Sequence, residues 1–286
     1  MERPLKKPDW LKINIASNEH FACVSQIIKT HHLHTICSSG RCPNRAECWN
    51  RGTATFMILG DICTRSCRFC NTKTGKPIAK DVNEPLKIAK SVQLMNLSHV
   101  VITSVDRDDL PDLGASQWIE TILSIKRLNP HTTIETLIPD FQGKTTLIEQ
   151  VVNAAPTIIG HNLETVRRLT PIIRSAASYD TSLQVLKQIA ESHIPAKSSL
   201  MLGLGETHDE VCETMDDLRD VGCSILTLGQ YLQPTIKHFS VVEYIHPDKF
   251  AEYKSLGLQK GFRMVESGPL VRSSYHAENF FLEKVN

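Results

Sequence analysis

The chain has 286 residues, 41% of them hydrophobic, and its 32 basic and 31 acidic side chains leave a formal charge of +1. That balance excludes the strongly basic surface of a nucleic-acid binder and offers nothing to an anionic membrane. The opening stretch MERPLKKPDWLKINIAS lacks the apolar core of a signal peptide and is not the Arg/Ser-rich, acid-poor pattern of a transit peptide. No stretch approaches the roughly 18 apolar residues of a membrane span. A reducing cytoplasm is therefore the expected setting, where clustered cysteines act as metal ligands or catalysts rather than disulfides.

In chain order, residues 1–52 read as an irregular N-terminal extension with a helix around Phe21–His31. From residue 53 a rhythm begins. Short β-branched runs bounded by Gly, Pro, Asn or Asp predict strands at 53–60, 99–105, 132–139, 156–162, 196–203 and 223–231. Helical patterns alternate with them. Residues 84–96 place Leu86, Ala89, Val92 and Met95 on one face, and 116–128 do the same with Trp118, Ile122, Ile125 and Leu128. TTLIEQVVNAA, YDTSLQVLKQIAES and DEVCETMDDLRDVG continue the pattern. Strands alternating with single helices predict parallel βαβ units. Six units are too few for the closed eight-stranded barrel, so the expected fold is α/β, a partial (β/α)6 TIM-type barrel over 53–232. A flat doubly wound sheet is its rival. After residue 231 the rhythm stops, and 233–286 reads as a C-terminal extension with one helix near 248–260, the whole forming one integrated domain.

In α/β folds of either kind the site lies at the carboxyl ends of the strands. Polar groups follow every predicted strand here: CTRSCRFC, TSVDRDDL, PDF, HNLET, GLGET and GQYLQPT. Taken singly, Asp108, Asp109 and Asp140 read as helix caps or solvated loop charges. Their recurrence at all six ends points to a shared cavity. Ile102, Leu137 and Leu202 are candidate apolar walls and equally plausible core.

Nine cysteines are present, and six lie within residues 37–70. Cys23, Cys212 and Cys223 fall outside and read as small buried hydrophobes. Cys63-x3-Cys67-x2-Cys70 packs three thiols into eight residues. Iron–sulfur clusters take thiolates, one per iron, so three thiolates on four irons leave one iron open, as a catalytic metal requires. Zinc sites use C-x2-C knuckles closed by a fourth Cys or His, which this spacing does not provide. Cys37-x4-Cys42-x5-Cys48 forms a second set, with Arg41 and Arg45 between its members to offset cluster charge. His31, His32 and His34, close by in sequence, read as solvated.

The x3–x2 spacing, with Phe69 before the last cysteine, resembles the radical S-adenosylmethionine superfamily. FMILGDICTRSCRFCNTKTGKP, VVITSVDRDDL, HNLETV, GLGET, ILTLGQYLQPT and SGPLVRSSY together resemble the lipoyl synthases, over about residues 37–276. Two stretches depart from that family's pattern: DLGA, with Leu113 where glycine is usual, and KSSLM, with Ser199 where glycine is usual. The resemblance implies a 4Fe-4S cluster on Cys63, Cys67 and Cys70 whose open iron chelates S-adenosylmethionine and, by one-electron cleavage, yields a 5′-deoxyadenosyl radical. It implies an auxiliary 4Fe-4S cluster on Cys37, Cys42 and Cys48, completed by Ser274 of the RSSY motif, or by Ser273. A hard serine oxygen on soft iron leaves more readily than a thiolate, which suits a cluster that donates its sulfides.

The implied reaction inserts sulfur at C6 and C8 of an octanoyl chain amide-linked to a carrier-protein lysine, using two S-adenosylmethionine molecules. The implied partners are an octanoylated carrier (a 2-oxoacid dehydrogenase E2 lipoyl domain or glycine cleavage H protein), a low-potential donor such as ferredoxin or flavodoxin, and an iron–sulfur carrier protein. By the same analogy Thr103 and Ser104 face the methionine end of the cofactor. Asn162 and Glu164 serve ribose or methionine, Arg174 and Lys197 the carboxylate, and Met201 and Tyr231 the adenine, while Arg107 and Asp108 order a loop over the substrate. Two other readings compete: a radical enzyme inserting sulfur into a free small molecule, and a non-catalytic iron–sulfur electron carrier. The first leaves RSSY and the N-terminal triad unexplained, and the second requires four cysteines per cluster.

Overall fold

The computed structural model describes residues 5–13, 18–275 and 277. They form two compact units. The first consists of Ile13–Arg65 and Asn71–Ile159; the second combines the segment up to Lys12, Ser66–Cys70 and the chain from Gly160 onward.

In the first unit, α1 (Glu19–Thr30) starts where the Asn18 side chain accepts the Phe21 N–H at 3.1 Å. A two-residue strand, β1 (His34–Thr35), leads into the short helices α2 (Ile36–Ser39) and α3 (Arg45–Asn50). β2 (Thr55–Ile58) is wholly buried. The cysteine loop is then closed at its base by a small parallel pair, β3 (Ile62–Cys63) with β4 (Lys73–Thr74). The alternation follows: α4 (Glu84–Leu94), β5 (His99–Ser104), α5 (Ala115–Leu128), β6 (Thr133–Leu137), α6 (Thr145–Asn153) and β7 (Ile158–Gly160), whose first two residues belong here. The strands run in the order β1-β2-β5-β6-β7. β1 lies antiparallel to β2, whereas β2–β5 and β5–β6 are parallel.

In the second unit, α7 (Thr170–Ile173) and α8 (Tyr179–Glu191) precede β8 (Ala196–Leu202). Next come α9 (His208–Asp220), β9 (Ile225–Gln230), α10 (Pro247–Gln259) and β10 (Met264–Gly268). β8, β9 and β10 are parallel neighbours. α9 begins with a capping box in which Thr207 and Glu210 satisfy each other's backbone N–H groups. The fold is the expected α/β type with a mostly parallel sheet.

Three expectations change. The rhythm does not stop at residue 231, because β10 adds a further parallel strand beyond α10. α4 buries Pro85, Ile88, Ala89 and Val92, leaving Leu86 exposed, so its inner face is rotated from the predicted one. Of the three outlying cysteines only Cys223 is buried; Cys23 is exposed and Cys212 half-buried. The predicted stripe of α5 holds for Trp118, Ile122 and Ile125, which are fully buried. Leu113, at the first departure from the family pattern, takes a left-handed φ of +52° while remaining buried. Of the candidate walls, Ile102 and Leu202 are fully buried core and Leu137 is half-buried. Among the described residues no helix is long and apolar enough to cross a membrane.

Gly203 ends β8 at φ +96°, and a Cβ there would sit 2.3 Å from both the Glu243 carbonyl oxygen and Gln230 Nε2. Left-handed strain and overpacking each cost about 1–3 kcal/mol at such sites. Gly203→Ala is expected to lower unfolding stability by more than about 2 kcal/mol, read from anaerobic urea denaturation, with the slope unchanged.

Candidate functional site

The N-terminal cysteine triad lies entirely in the first unit. Cys37 is buried in α2, Cys42 follows that helix, and Cys48 belongs to α3. Backbone bonds set their spacing: the Cys42 N–H donates to the Cys37 carbonyl at 3.1 Å and the Arg45 N–H to the Cys42 carbonyl at 3.3 Å. The Cys48 carbonyl accepts the Thr53 N–H at 2.9 Å and its hydroxyl at 3.1 Å. Burial, followed by repulsion from Cys37 and Cys42, pushes the Cys48 thiol up to about 12. Burial also raises Cys37. Cys48 thus feels the charge of both other members of its triad. The Arg45 guanidinium lies 5.6 Å from the centre of the Trp49 ring. His34 is not merely solvated; it pairs with Met57 in the sheet.

The second triad sits on a loop held along its length. Before it, Leu59 (φ +69°) donates its N–H to Glu84 Oε2 at 2.8 Å, and its carbonyl accepts Arg107 Nη1 at 3.3 Å. Arg107 also forks onto Asp109 at 2.8 and 2.9 Å. Thr64 donates its N–H and its hydroxyl to the Asp106 carbonyl, both at 3.0 Å. Arg65 follows, buried, with its guanidinium between two carboxylates. It donates twice to Asp108, at 2.8 Å each, and twice to Asp140, at 2.8 and 2.9 Å. Asp106 Oδ1 lies 3.5 Å away. Burial opposes the arginine's charge, but the bonds to Asp108 and Asp140 outweigh it. The Arg65 bonds in turn hold the Asp108 carboxyl below its usual range. Asp106 goes the other way, raised by burial against the attraction of Arg65.

Arg65 also touches the thiol directly, because its backbone N–H donates to Cys63 Sγ at 3.4 Å. Such amide–sulfur bonds help set cluster potentials. In the second unit, the Ser66 N–H donates to Ser175 Oγ at 3.0 Å and the Arg68 N–H to the Ile173 carbonyl at 2.8 Å. Cys67 Sγ is 3.9 Å from Ser175 Oγ, and the His238 ring N–H donates to the Cys70 carbonyl at 3.0 Å. Among the described residues no three His, Cys, Asp or Glu side chains surround a single ion. The donors are free thiols in two sets of three, the ligand type that iron–sulfur clusters take, and neither set has the paired knuckles of a zinc site.

The cofactor candidates sort by whether their polar atoms are already engaged. Thr103 Oγ1 donates to the Leu137 carbonyl at 3.3 Å, whereas the buried Ser104 hydroxyl has no partner. Asn162 Nδ2 donates to Glu164 Oε1 at 3.0 Å, and its buried Oδ1 is unpartnered. Glu164 has φ +69° and is raised by burial against the pull of Arg174. Arg174 donates to Ser182 Oγ at 2.8 Å and to the Leu163 carbonyl at 3.3 Å. Lys197 is buried on β8, paired with Ile225. Met201 pairs with Gly229. The Tyr231 hydroxyl donates to the Phe239 carbonyl at 2.7 Å and so braces the chain after β9. Ser273 and Ser274 lie half-buried in a turn closed by the Tyr275 N–H on the Arg272 carbonyl at 2.9 Å.

Residues 57–218 match the Radical SAM superfamily. The fold is shared with methylornithine synthase, at a TM-score of 0.55 and 10% identity over 85% of this chain and 82% of that one. The chain is therefore a radical S-adenosylmethionine enzyme. It is 65% identical to the lipoyl synthase of Bacteroides fragilis strain YCH46 over 97% of this chain and 96% of the relative. It is likewise 65% identical to that of Phocaeicola vulgatus, over 96% of both. The chain belongs to the lipoyl synthase family, with S-adenosylmethionine and two 4Fe-4S clusters as its cofactors.

Removing one partner from a buried ion pair costs about 3–5 kcal/mol. Arg65→Met strands Asp108 and Asp140, so it is expected to destabilise the iron-free chain by that amount in urea unfolding and to lower iron retention. Asp106→Asn, which gives up the 3.5 Å approach to Arg65 and keeps an amide oxygen able to accept the Cys63 thiol, should cost less than about 1 kcal/mol. Equal losses in the two variants would contradict the geometry.

Proposed function

We propose that this chain inserts sulfur at C6 and C8 of an octanoyl chain carried on a lysine of a small acceptor protein. The observation that carries this reading is the pair of triads of free cysteines, one of which lies wholly within a single unit. Cys63, Cys67 and Cys70 would hold the cluster that binds S-adenosylmethionine, and Cys37, Cys42 and Cys48, with Ser274 or Ser273, the auxiliary one. When bound, these groups supply a 5′-deoxyadenosyl radical and sulfide respectively.

The chain's own residues do the positioning. Arg65, Thr64 and Glu84 fix the approach to Cys63. Ser175 and His238 support the backbone at Cys67 and Cys70. The unpartnered Ser104 Oγ and Asn162 Oδ1 are the atoms best suited to take up a polar ligand, since a buried oxygen without a partner costs about 1–3 kcal/mol until one arrives. Thr103 and Tyr231 spend their hydroxyl protons on backbone carbonyls and would offer a ligand acceptor capacity alone. Glu164, whose carbonyl accepts the Met201 N–H, and Arg174, which attracts the Glu164 carboxylate, would serve near the end of β8, whereas Lys197 lies at the start of that strand. The carrier would be an E2 lipoyl domain or glycine cleavage H protein, the electron donor a ferredoxin or flavodoxin, the source of replacement clusters an iron–sulfur carrier protein, and the setting the cytoplasm.

The test is mass spectrometry of an octanoylated carrier peptide after anaerobic incubation with enzyme, reductant and S-adenosylmethionine. A gain of two sulfur atoms is expected. Cofactor cleavage without sulfur gain would point to another acceptor. Reconstituted enzyme should carry about eight irons, four per cluster, and fewer than about five would leave room for only one. Ser274→Cys should retain a full auxiliary cluster yet form at least about tenfold less lipoyl product, because thiolate is the softer and tighter ligand.

A further inference from the structure

We infer that Gly229 is a positioning residue for the serine that completes the auxiliary cluster, an inference that rests on the reading of Ser274 or Ser273 as its ligand. β9 and β10 run in register, Leu228 with Ser267 and Gly229 with Gly268. The chain then folds back. The Val271 N–H donates to the Gly268 carbonyl at 3.0 Å, and the Gln230 N–H to the Pro269 carbonyl at 3.3 Å. These bonds lay Val271 and Arg272 over Gly229. A Cβ at Gly229 would stand 2.0 Å from the Val271 carbonyl oxygen, 3.0 Å from its carbon and 3.2 Å from Arg272 Nη1.

This glycine is required for space and not for conformation, since Gly229 is absent from the positive-φ glycines. The obstructing atom is backbone, so no rotamer change relieves it. Val271 is itself buried, and its carbonyl accepts Arg272 Nη1 at 2.6 Å. An alanine methyl would have to push the segment outward by roughly 1 Å to restore ordinary contact, against the ~0.5 Å tolerance of a preorganised site. Ser273 and Ser274 follow directly in the turn that starts at Arg272, so the displacement passes to their hydroxyls. Gly268 provides the matched control: a Cβ there meets only Val271 Cγ2, at 3.4 Å.

The experiment compares anaerobically reconstituted wild type, Gly229→Ala, Gly268→Ala and the double variant Ser273→Ala/Ser274→Ala. Iron content, Mössbauer spectra and reductive cleavage of S-adenosylmethionine are measured on each. For Gly229→Ala, cleavage should stay within about twofold of wild type while iron falls from about eight towards four per chain and the auxiliary component of the spectrum is lost or altered. Gly268→Ala should match wild type. A wild-type auxiliary spectrum in Gly229→Ala would overturn the proposal. So would loss of both clusters together with cleavage, which would show that the glycine serves the fold at large. If the double serine variant keeps a wild-type auxiliary spectrum, the serine-ligand reading fails, whatever Gly229→Ala does.

Discussion

One guanidinium organises the first unit's functional edge. Arg65 follows β3, Asp106 and Asp108 follow β5, and Asp140 follows β6, so a single side chain ties three strand ends together. Only arginine can do this. Its planar fork presents donors on two edges and remains charged when buried, whereas a lysine would satisfy one carboxylate and strand the other. The arrangement is costly in isolation, because three carboxylates surround one cation. It holds because the two that are fully forked have further donors: Thr64 and Gln142 on Asp108, and the Gln142 N–H on Asp140. The least supported, Asp106, is the one raised by burial. The result is a loop whose entry is fixed by directional bonds, as the proposed role of its cysteines would require.

The thiols obey a related constraint. Burial favours the neutral thiol at Cys37, and burial with repulsion from Cys37 and Cys42 does so at Cys48, whereas a cluster requires thiolate. On the reading proposed above, loading iron would displace those protons, and the positive iron would offset desolvation and repulsion.

Much of this was legible in the sequence because hydrophobic period and cysteine spacing are local signals. All six predicted strands are present, and the helices over 84–96, 116–128 and 248–260 fall within two residues of their expected ends. What escaped was long-range or polar. The partners of Arg65 lie 43 and 75 residues away, and no local pattern links them. Asp140 read as a cap, and it is one, accepting the Gln142 N–H at 2.9 Å, but capping hid its second role. β10 escaped because MVESG mixes Glu, Ser and Gly into a strand with one buried end. Ser175 and His238 support the cysteine loop through backbone atoms, which leave no compositional trace.

That last point explains how order persists in the tail after the apolar rhythm ends. Gln230 alone engages the carbonyls of Leu202, Tyr231 and Glu243 and the Ile245 N–H. It ties an irregular segment, at Glu243 and Ile245, to the ends of β8 and β9. Such a scheme works only where backbones approach closely, and the close approaches fall at glycines: Gly203 beside Glu243 and Gly229 beside Val271. Gly203 needs both its left-handed φ and its missing side chain, whereas Gly229 needs only the space. A glycine of the second kind leaves strand geometry unchanged and so is invisible to any reading of local backbone preference. Its purpose is found only in what lies across from it, which here is the arm that carries the RSSY serines.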